Sequence, residues 1–180
     1  MSRPLTLLES AELTGHYRYV ELALFRALGA AATGASEPAT ASYLAAAARA
    51  HGFRARLIEE LLPVSLGLPG IEASTRAPHP SVDAAIAAMV APGPDGALLA
   101  ALVGVVYPAM LGAYSERVAV SAPASDAPLL RTLRRVIGDL DATRQEGLAL
   151  VAATEEERAT AVAALITEAG GPFGALPLAP

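Results

Sequence analysis

Two long apolar stretches of the sequence carry polar side chains that could do chemistry. Glu21 lies in a stretch whose apolar residues recur every three or four positions, one turn after Tyr17. A carboxylate on such a face must be paired, liganded or protonated, because an isolated buried charge is costly. We therefore interpret Glu21 as a catalytic general base or a ligand-holding group. The alternative is a structural hydrogen bond to Tyr17 or to an arginine.

The second stretch carries His51 and, three residues later, Arg54. This spacing places both side chains on one side of a helix. A lone histidine on an apolar face is either a satisfied core residue or a group that transfers protons. Arginine repels cations, so Arg54 suits an anion, a substrate carboxylate or an ion pair with Glu21. A solvated flank is the alternative for Arg54.

Further polar pairs occur in the second half of the chain. Asp139 and Glu146 are seven residues apart, which indicates one helical face or, alternatively, an exposed helix edge. Tyr107 and Tyr114 have the same spacing and are typical of core residues, although in an enzyme they could donate hydrogen bonds or protons to a ligand. The catalytic residues that we predict are Glu21, His51 and Asp139. The ligand-binding residues that we predict are Tyr17, Arg54, Tyr114 and Glu146.

Composition excludes several functional classes. The 180 residues include no cysteine, so thiolate metal sites, cysteine nucleophiles and disulfides are excluded. A net charge of −5 argues against a nucleic-acid partner. The sequence has no glycine-rich phosphate loop, nucleotide fingerprint or nucleophile elbow. All 13 basic residues are arginine, a bias that favours a high-GC bacterium and is compatible with a role in biosynthesis.

The apolar periodicity predicts an all-α fold with four long helices and no convincing strand. The expected long helices span residues 9–32, 38–62, 95–120 and 126–153. Pro108 should kink the third of them, because proline removes a backbone donor and clashes with the preceding turn. Shorter helices are expected over residues 81–90, capped by Ser81, and 154–168, capped by Thr154 with Glu157.

The connections between the long helices show how they should be arranged. Residues 33–37 and 121–125 are short loops, which make antiparallel neighbours, whereas residues 63–94 form a long crossover. In these helix and loop lengths, Glu9–Ala153 resembles a ferritin-like four-helix bundle. The resemblance implies an antiparallel four-helix bundle of two helical hairpins. We expect one domain over residues 1–180, with a C-terminal helix over about 154–169 and an apolar tail over 170–180.

The resemblance also implies two metals, held by a glutamate from each of two helices and a Glu-x-x-His pair from each of the others. The three histidines, His16, His51 and His79, complete no such pair. The residues three positions before them are Leu13, Ala48 and Arg76. We therefore predict a degenerate metal motif and no cofactor. The alternative is iron or manganese in a non-standard site of Glu21, His51, Asp139 and Glu146.

Three functional hypotheses follow. In the first, the space left by the metals binds a small organic molecule and transforms it by metal-independent acid–base chemistry, such as isomerisation, cyclisation or elimination. In the second, the non-standard metal site supports an oxidase or oxygenase. In the third, the bundle is a structural or regulatory subunit whose apolar tail docks on a partner or, in a homodimer, on a second copy.

Location is predicted from the N-terminus and from one apolar stretch. Met1–Leu8 lacks the layout of a secretory signal, and the chain has no cysteine, so we expect a cytoplasmic protein. Ala97–Ser115 is uncharged and about as long as a bilayer requires. We interpret it as a buried helix of a bundle, with no membrane partner.

Overall fold

The computed structural model describes residues 5–151 and 156–175. Over these residues the chain is helical and forms no strand, which confirms the predicted all-α class. The α-helices are α1 Leu7–Gly34, α2 Pro38–Glu59, α3 Ile71–Ser74, α4 Pro80–Met89, α5 Asp95–Ala101, α6 Tyr107–Val120, α7 Ala127–Leu148 and α8 Glu156–Glu168. A π-helical turn, Leu102–Val106, joins α5 to α6 without a break.

Local hydrogen bonds explain where the first two helices begin. The Thr6 hydroxyl accepts from the Glu9 backbone N–H at 3.2 Å, and the Glu9 carboxylate accepts from the Thr6 N–H at 2.8 Å. This capping box starts α1 two residues before the predicted position. Pro38 occupies the first turn of α2, as predicted, because its missing N–H has no helical partner there.

The short connection between α1 and α2 is fixed by a residue from a later helix. Asp95 Oδ2 accepts hydrogen bonds from the Ser36 N–H, the Ser36 hydroxyl and the Glu37 N–H at 2.9, 2.9 and 3.1 Å. The Glu37 and Ser36 bonds hold the pKa of Asp95 below its usual value. The start of α5 is thereby tied to the connection between α1 and α2.

Several helix ends differ from the sequence prediction. α4 is capped by His79, whose Nδ1 accepts from the Ser81 N–H at 3.2 Å, so Ser81 receives the cap rather than providing it. α2 ends at Glu59 and α7 at Leu148, both earlier than expected. The capping residue predicted at Thr154 lies outside the described residues.

The third long helix accommodates Pro108 by widening its backbone. The Tyr107 N–H bonds to the Leu102 carbonyl, five residues back, which is the hydrogen bond of a π-helix. Proline in a regular helix would collide with the carbonyl four residues earlier, which here belongs to Gly104. The π turn lies directly before Pro108 and changes the geometry of that turn.

Asp95–Val120 is also the one described helix that is long and apolar enough to cross a membrane by length and composition. Its most apolar window has a mean hydropathy of 1.9, and half of that window is buried inside the protein. Core helices of soluble proteins pass the same test. The helix contacts α7 and α8 within this chain.

Packing brings the helices together around one apolar core. α1 and α2 contact each other along much of their length, α6 packs on α7, and α2 also contacts α7. α8 lies against α4 and α5. The segment after α8 returns to the core, where Phe173 is fully buried. The apolar tail was expected to lie against the body or a partner, or to be frayed, and in its described part Phe173 packs against the body of its own chain.

Candidate functional site

Glu21 lies at the centre of a buried polar cluster and is fully excluded from solvent. Its Oε2 atom is 2.6 Å from His51 Nδ1 and accepts a 3.2 Å hydrogen bond from Arg54 Nε. Its Oε1 atom accepts a 2.9 Å hydrogen bond from the Tyr114 hydroxyl. Both carboxylate oxygens are therefore engaged by side chains from α2 and α6.

Three helices position these side chains. α1 contributes Glu21 from its apolar face, and α2 contributes His51 and Arg54, which lie one turn apart. Small residues surround the α2 pair, since Ala47, Ala48 and Ala55 are all buried. They let α1 and α2 approach closely, so a glutamate and a histidine from facing helices can meet directly. α6 adds Tyr107 and Tyr114, two turns apart.

A row of neighbouring polar side chains leads from Glu21 towards the surface. His51 Nε2 is 3.1 Å from the Tyr107 hydroxyl, and Tyr43 lies beside Tyr107, whose pKa burial and Tyr43 both raise. The Tyr43 hydroxyl donates to the Thr143 carbonyl on α7 at 3.1 Å. The order is therefore Glu21, His51, Tyr107, Tyr43, and we refer to these four residues as the relay. Tyr43 retains 7% exposure, so the relay ends close to solvent.

The protein interior lowers the pKa of both Glu21 and His51, which favours the charged form of the glutamate and the neutral form of the histidine. Burial alone would raise the pKa of Glu21, but the His51 and Arg54 charges and the hydrogen bonds to the carboxylate lower it below its usual value. Burial lowers the pKa of His51, and the Glu21 charge opposes this only in part. Arg54 is the fixed cation of the cluster. At neutral pH the arrangement is a carboxylate, a guanidinium and a neutral imidazole.

The hydrogen bonds assign a tautomer to that imidazole. An ionised Glu21 can only accept, so His51 Nδ1 carries the proton. His51 Nε2 then accepts from the Tyr107 hydroxyl. Burial raises the pKa of Tyr107, Tyr114 and Tyr17 above the usual value and raises that of Tyr43 to about 12. All four tyrosines are neutral phenols that can donate hydrogen bonds at neutral pH.

Some buried polar atoms beside the cluster have no protein partner. Arg54 uses Nε on Glu21, but neither Nη1 nor Nη2 contacts an acceptor in the described parts of the chain. The Tyr17 hydroxyl is equally without a partner there. The Tyr17 ring packs edge-on against Tyr114, with 5.0 Å between ring centroids, and against Phe173 at 4.6 Å.

The structure brings together four of the seven predicted site residues and leaves two of them apart. Glu21, His51, Arg54 and Tyr114 are in direct contact, and Tyr17 packs against Tyr114. Asp139 and Glu146 lie on the exposed side of α7. Asp139 is 47% exposed and 3.9 Å from Arg135, so it forms a surface ion pair.

Asp139 and Glu146 lie outside the buried cluster for a simple physical reason. The buried side of α7 consists of apolar residues and one glycine, and this is sufficient to pack the helix. Its buried residues are Leu129, Leu130, Leu133, Val136, Leu140 and Gly147. Placing a carboxylate there would require a partner for its charge. α7 meets the relay at the Thr143 backbone carbonyl and at Gly147, and, in addition to burial, the charge of Glu146 raises the pKa of Tyr43 from the surface.

Sequence reasoning missed Tyr43 and Phe173 and left Tyr107 outside the predicted site. Tyr43 lies eight residues before His51, which is roughly two helical turns and places both on one face. Tyr107 lies two turns before Tyr114 in the same way. These spacings could have indicated both tyrosines. Phe173 follows the last helix, so no periodicity could indicate its position.

The cluster does not fit the two-metal site that the ferritin-like resemblance implies. Within residues 5–151 and 156–175, no group of three or more histidine or acidic side chains is arranged to hold a metal ion. Arg54 occupies the position three residues after His51, and its charge, 3.2 Å from Glu21 Oε2, would repel a cation. No protein-family model, curated protein or solved structure matches the chain. Its function has to be inferred from the buried cluster.

Proposed function

We propose that the protein binds a small organic molecule inside a ferritin-like bundle and moves protons to and from it through the relay. The chemistry is metal-independent acid–base catalysis of the kind needed for an isomerisation, a cyclisation or an elimination. The observation that carries this proposal is the buried contact of Glu21 with His51, whose other nitrogen faces the hydroxyl of Tyr107.

The lengths and contacts of the helices support the ferritin-like part of the proposal. α1 and α2 form one hairpin with a three-residue connection, and α6 and α7 form a second with a six-residue connection. Residues 60–94 carry the chain between the hairpins and include α3 and α4. α2 contacts α7, so the hairpins also contact each other. Two hairpins with one long crossover are the ferritin-like arrangement.

The relay has the chemical features of an acid–base pair. The Tyr107 hydroxyl can pass its proton to His51 Nε2 while its oxygen takes the proton from a C–H bond of the bound molecule, and the electron pair of that bond stays on the bound molecule as a carbanion or enolate. The imidazolium that forms is stabilised by the Glu21 carboxylate, to which Nδ1–H remains hydrogen-bonded. Return of the proton reverses each step. Glu21 orients His51 and stabilises its charged form, which is the usual role of a carboxylate behind a catalytic histidine.

A second function is favoured by one specific observation. Glu21, His51 and Arg54 all have 0% exposure, which a purely structural network would also show. In that case the cluster fixes the pairing of α1 and α2, and the protein is a structural or regulatory subunit. The two functions differ in whether proton transfer to a small molecule occurs.

A deuterium-exchange assay tests the proposed function directly. The wild-type protein is incubated in D2O with carbon acids, including acetone, pyruvate and malonate, and loss of the C–H signal is followed by NMR. We expect exchange of at least one compound, and a decrease of about 10²–10⁴-fold in its rate in His51→Gln. Asp141→Asn, which changes an exposed carboxylate of α7, is the control and should exchange at the wild-type rate. Exchange no faster than in buffer for every compound would favour the structural function.

Elemental analysis of the purified, untagged protein tests the metal-independent part. After growth with added iron, we expect iron, manganese and zinc far below one atom per chain. Glu21→Gln should leave this unchanged. Near-stoichiometric iron or manganese that disappears in Glu21→Gln would contradict the proposal and would indicate oxygen chemistry at a non-standard metal site.

A further inference from the structure

Phe173 is an aromatic ring held between two other rings. It is fully buried, although it follows the last helix and lies in a segment of turns, residues 170–175. Its ring centroid is 4.6 Å from that of Tyr17, with 70° between the planes, and 4.7 Å from that of Tyr114, with 35° between the planes. Aromatic rings prefer edge-on or offset contacts at such distances. Tyr17 and Tyr114 therefore form a site whose shape fits one aromatic ring.

The segment that carries Phe173 has glycine on both sides of it. Gly170, Gly171 and Gly174 have φ values of 77°, 124° and 73°, and glycine moves between positive and negative φ at little cost. Their N–H groups bond to carbonyls three to five residues back, and not to α1 or α6, the helices of the two tyrosines. Rotation about these glycines would therefore withdraw the ring without breaking either helix.

A surface groove borders the buried ring. It has a volume of about 360 Å³ and is lined by Ala109, Ala113 and Glu116 of α6 and by residues 170–175, including Phe173. This volume lies within the range of small-molecule sites. Because Phe173 both lines the groove and contacts the two tyrosines, its withdrawal would join the groove to the space between them.

A buried hydroxyl on one of the two tyrosines has no partner. The Tyr17 hydroxyl is excluded from solvent, and no described residue accepts from it or donates to it. Native proteins rarely leave such a group unpaired, because its desolvation costs free energy. A ligand that carries a hydroxyl group can supply the partner, which the hydrocarbon ring of Phe173 cannot.

The charges near the site favour neither sign of ligand charge. Arg117 and Glu116 act on Tyr17 with opposite signs, so they oppose each other there. An unpaired charge is costly in a protein interior. A ligand whose ring enters the space between the tyrosines is therefore expected to be uncharged.

We propose that Tyr17 and Tyr114 form a binding site for a small uncharged aromatic compound, which takes the place of the Phe173 ring. Phe173 occupies the site until the ligand exchanges with it, and the substituent of the ligand then lies in the groove. Binding also acts on the buried cluster, because the Tyr114 hydroxyl donates to Glu21. The site does not depend on proton transfer by the relay.

Fluorine NMR of the wild-type protein, produced with 4-fluorophenylalanine in place of phenylalanine, tests the exchange. The chain has three phenylalanines, and the exposed Phe25 and Phe53 serve as internal references. Phe173→Leu identifies the third resonance. The aromatic probes are phenol and benzyl alcohol. The comparison probes are cyclohexylmethanol, which has a saturated ring of about the same size, and benzoate, which is charged.

We expect the Phe173 resonance to move in a saturable way towards that of a solvent-exposed phenylalanine with at least one of the two aromatic probes. The Phe25 and Phe53 resonances should not move. Cyclohexylmethanol should bind about two- to tenfold more weakly than benzyl alcohol, because it lacks the ring contacts. Benzoate should bind at least about tenfold more weakly, because its charge is not compensated in the interior.

Phe173→Ala is the matched variant for the same exchange. It removes the ring that the ligand must displace, so benzyl alcohol should bind at least about tenfold more tightly than to the wild type, as measured by calorimetry. Phe53→Ala removes an exposed ring and should retain the wild-type affinity. If Phe173→Ala does not fold, Phe173→Leu should show a smaller gain in affinity, because leucine fills part of the site.

Four results would overturn the inference. They are no movement of the Phe173 resonance, equal movement of all three resonances, equal affinity for cyclohexylmethanol and benzyl alcohol, and wild-type affinity in both Phe173 variants. Displacement of Phe173 in a protein without deuterium exchange supports this inference and contradicts only the acid–base function. Deuterium exchange without displacement of Phe173 contradicts only the aromatic site.

Discussion

Glu21 and His51 share one short hydrogen bond, yet the interior favours a charged glutamate and a neutral histidine. Arg54 makes this division possible, because a fixed cation beside Glu21 removes the need for His51 to carry the balancing charge. Pairs of titratable groups whose environments separate their pKa values are characteristic of acid–base sites. An arginine beside Glu21 and His51 therefore makes a cluster that disfavours cations and suits proton transfer and anions.

The pH dependence of stability should report the neutral state of His51. Its pKa is lowered by burial below the unfolded value of about 6.5, so the unfolded chain binds more protons than the native one below that pH. The stabilisation is fully present above about pH 6.5 and is lost as the pH falls towards the native pKa. We expect the unfolding free energy to decrease over this range by up to about 1.4 kcal/mol per pH unit for this one proton.

Urea unfolding of the wild type and of His51→Gln between about pH 5 and pH 7 measures this slope. The variant should have a smaller slope, because glutamine does not titrate. The slope should not disappear, since burial also lowers the pKa of His16, which remains in the variant. Equal slopes in both proteins would show that His51 titrates near its usual pKa and carries a charge in the native state.

The sequence indicated the charged members of the cluster better than the aromatic ones. A glutamate, a histidine and an arginine on apolar faces are conspicuous, because each needs a partner when buried. Tyrosines on such faces are ordinary core residues, so nothing distinguished Tyr43 from other apolar positions. Asp139 shows the limit of the same reasoning, since it follows the buried Val136 by three residues and still points to solvent. Periodicity alone does not determine how a helix is rotated.

At the scale of elements, a glycine lets α7 approach its neighbours closely, in addition to its polar contacts. A Cβ atom built on Gly147 would collide with the Tyr43 hydroxyl and would lie 2.6 Å from Val103 Cγ1. Gly147 therefore allows α7 to approach both α2 and the π turn at the outer end of the relay. Gly138, on the same helix, has no heavy atom within 4 Å of such a Cβ.

This contrast predicts opposite effects for two equivalent substitutions. Gly147→Ala should destabilise the protein by about 1–3 kcal/mol, because the added methyl must displace Tyr43 or α7. Gly138→Ala should stabilise it by about 0.5–1 kcal/mol, because alanine is the better helix former and meets no neighbour. Chemical denaturation of both variants measures the two changes. A neutral or stabilising Gly147→Ala would show that α7 does not pack on Tyr43.

The third long helix was predicted from the sequence, but the π turn inside it, directly before Pro108, was not. The sequence predicted a helix over residues 95–120 with a kink at Pro108; the helix is present, and it contains a π turn directly before Pro108. Whether proline kinks a helix or widens one turn depends on what receives the displaced backbone groups. Here Arg144 Nε of α7 donates to the Val103 carbonyl at 3.0 Å, and such a long-range partner is not visible in a local pattern.

At the scale of the whole molecule, the sequence predicted the long helices and the short loops between them, whereas the position of the last segment came from the structure. The C-terminal segment was expected to lie on the body, to dock on a partner or to fray. α8 packs on α4 and α5, and Phe173 fills the space beside Tyr17 and Tyr114, so the described part of the tail lies on the body. The crossover and the C-terminal helix thus pack together on one side of the hairpins, an arrangement that depends on long-range contacts.

Helix contacts also bear on whether Asp95–Val120 lies in water or in a membrane. The helix is apolar enough to span a bilayer, but α7 and α8 already cover part of it, and half of its most apolar window is buried. Membrane insertion would have to give up the bond from Arg144 to the Val103 carbonyl and would place the buried Arg117 near the lipid. A charged side chain in the hydrocarbon region is costly, by about 2.5–3.5 kcal/mol at its centre.

We therefore expect the native protein to remain in the aqueous phase when a nonionic detergent solution is warmed until it separates. Arg144→Ala is the informative variant, because it removes the donor to Val103 and should destabilise the packing of α7 on the π turn without adding apolar surface to the native state. We expect Arg144→Ala to stay aqueous while folded and to enter the detergent phase only when mild denaturant exposes Asp95–Val120. Exposed Arg131→Ala should behave like the wild type. Recovery of the untreated wild type in the detergent phase would show that this helix is presented to lipid, and the packing of α7 and α8 against it would have to be released in the membrane.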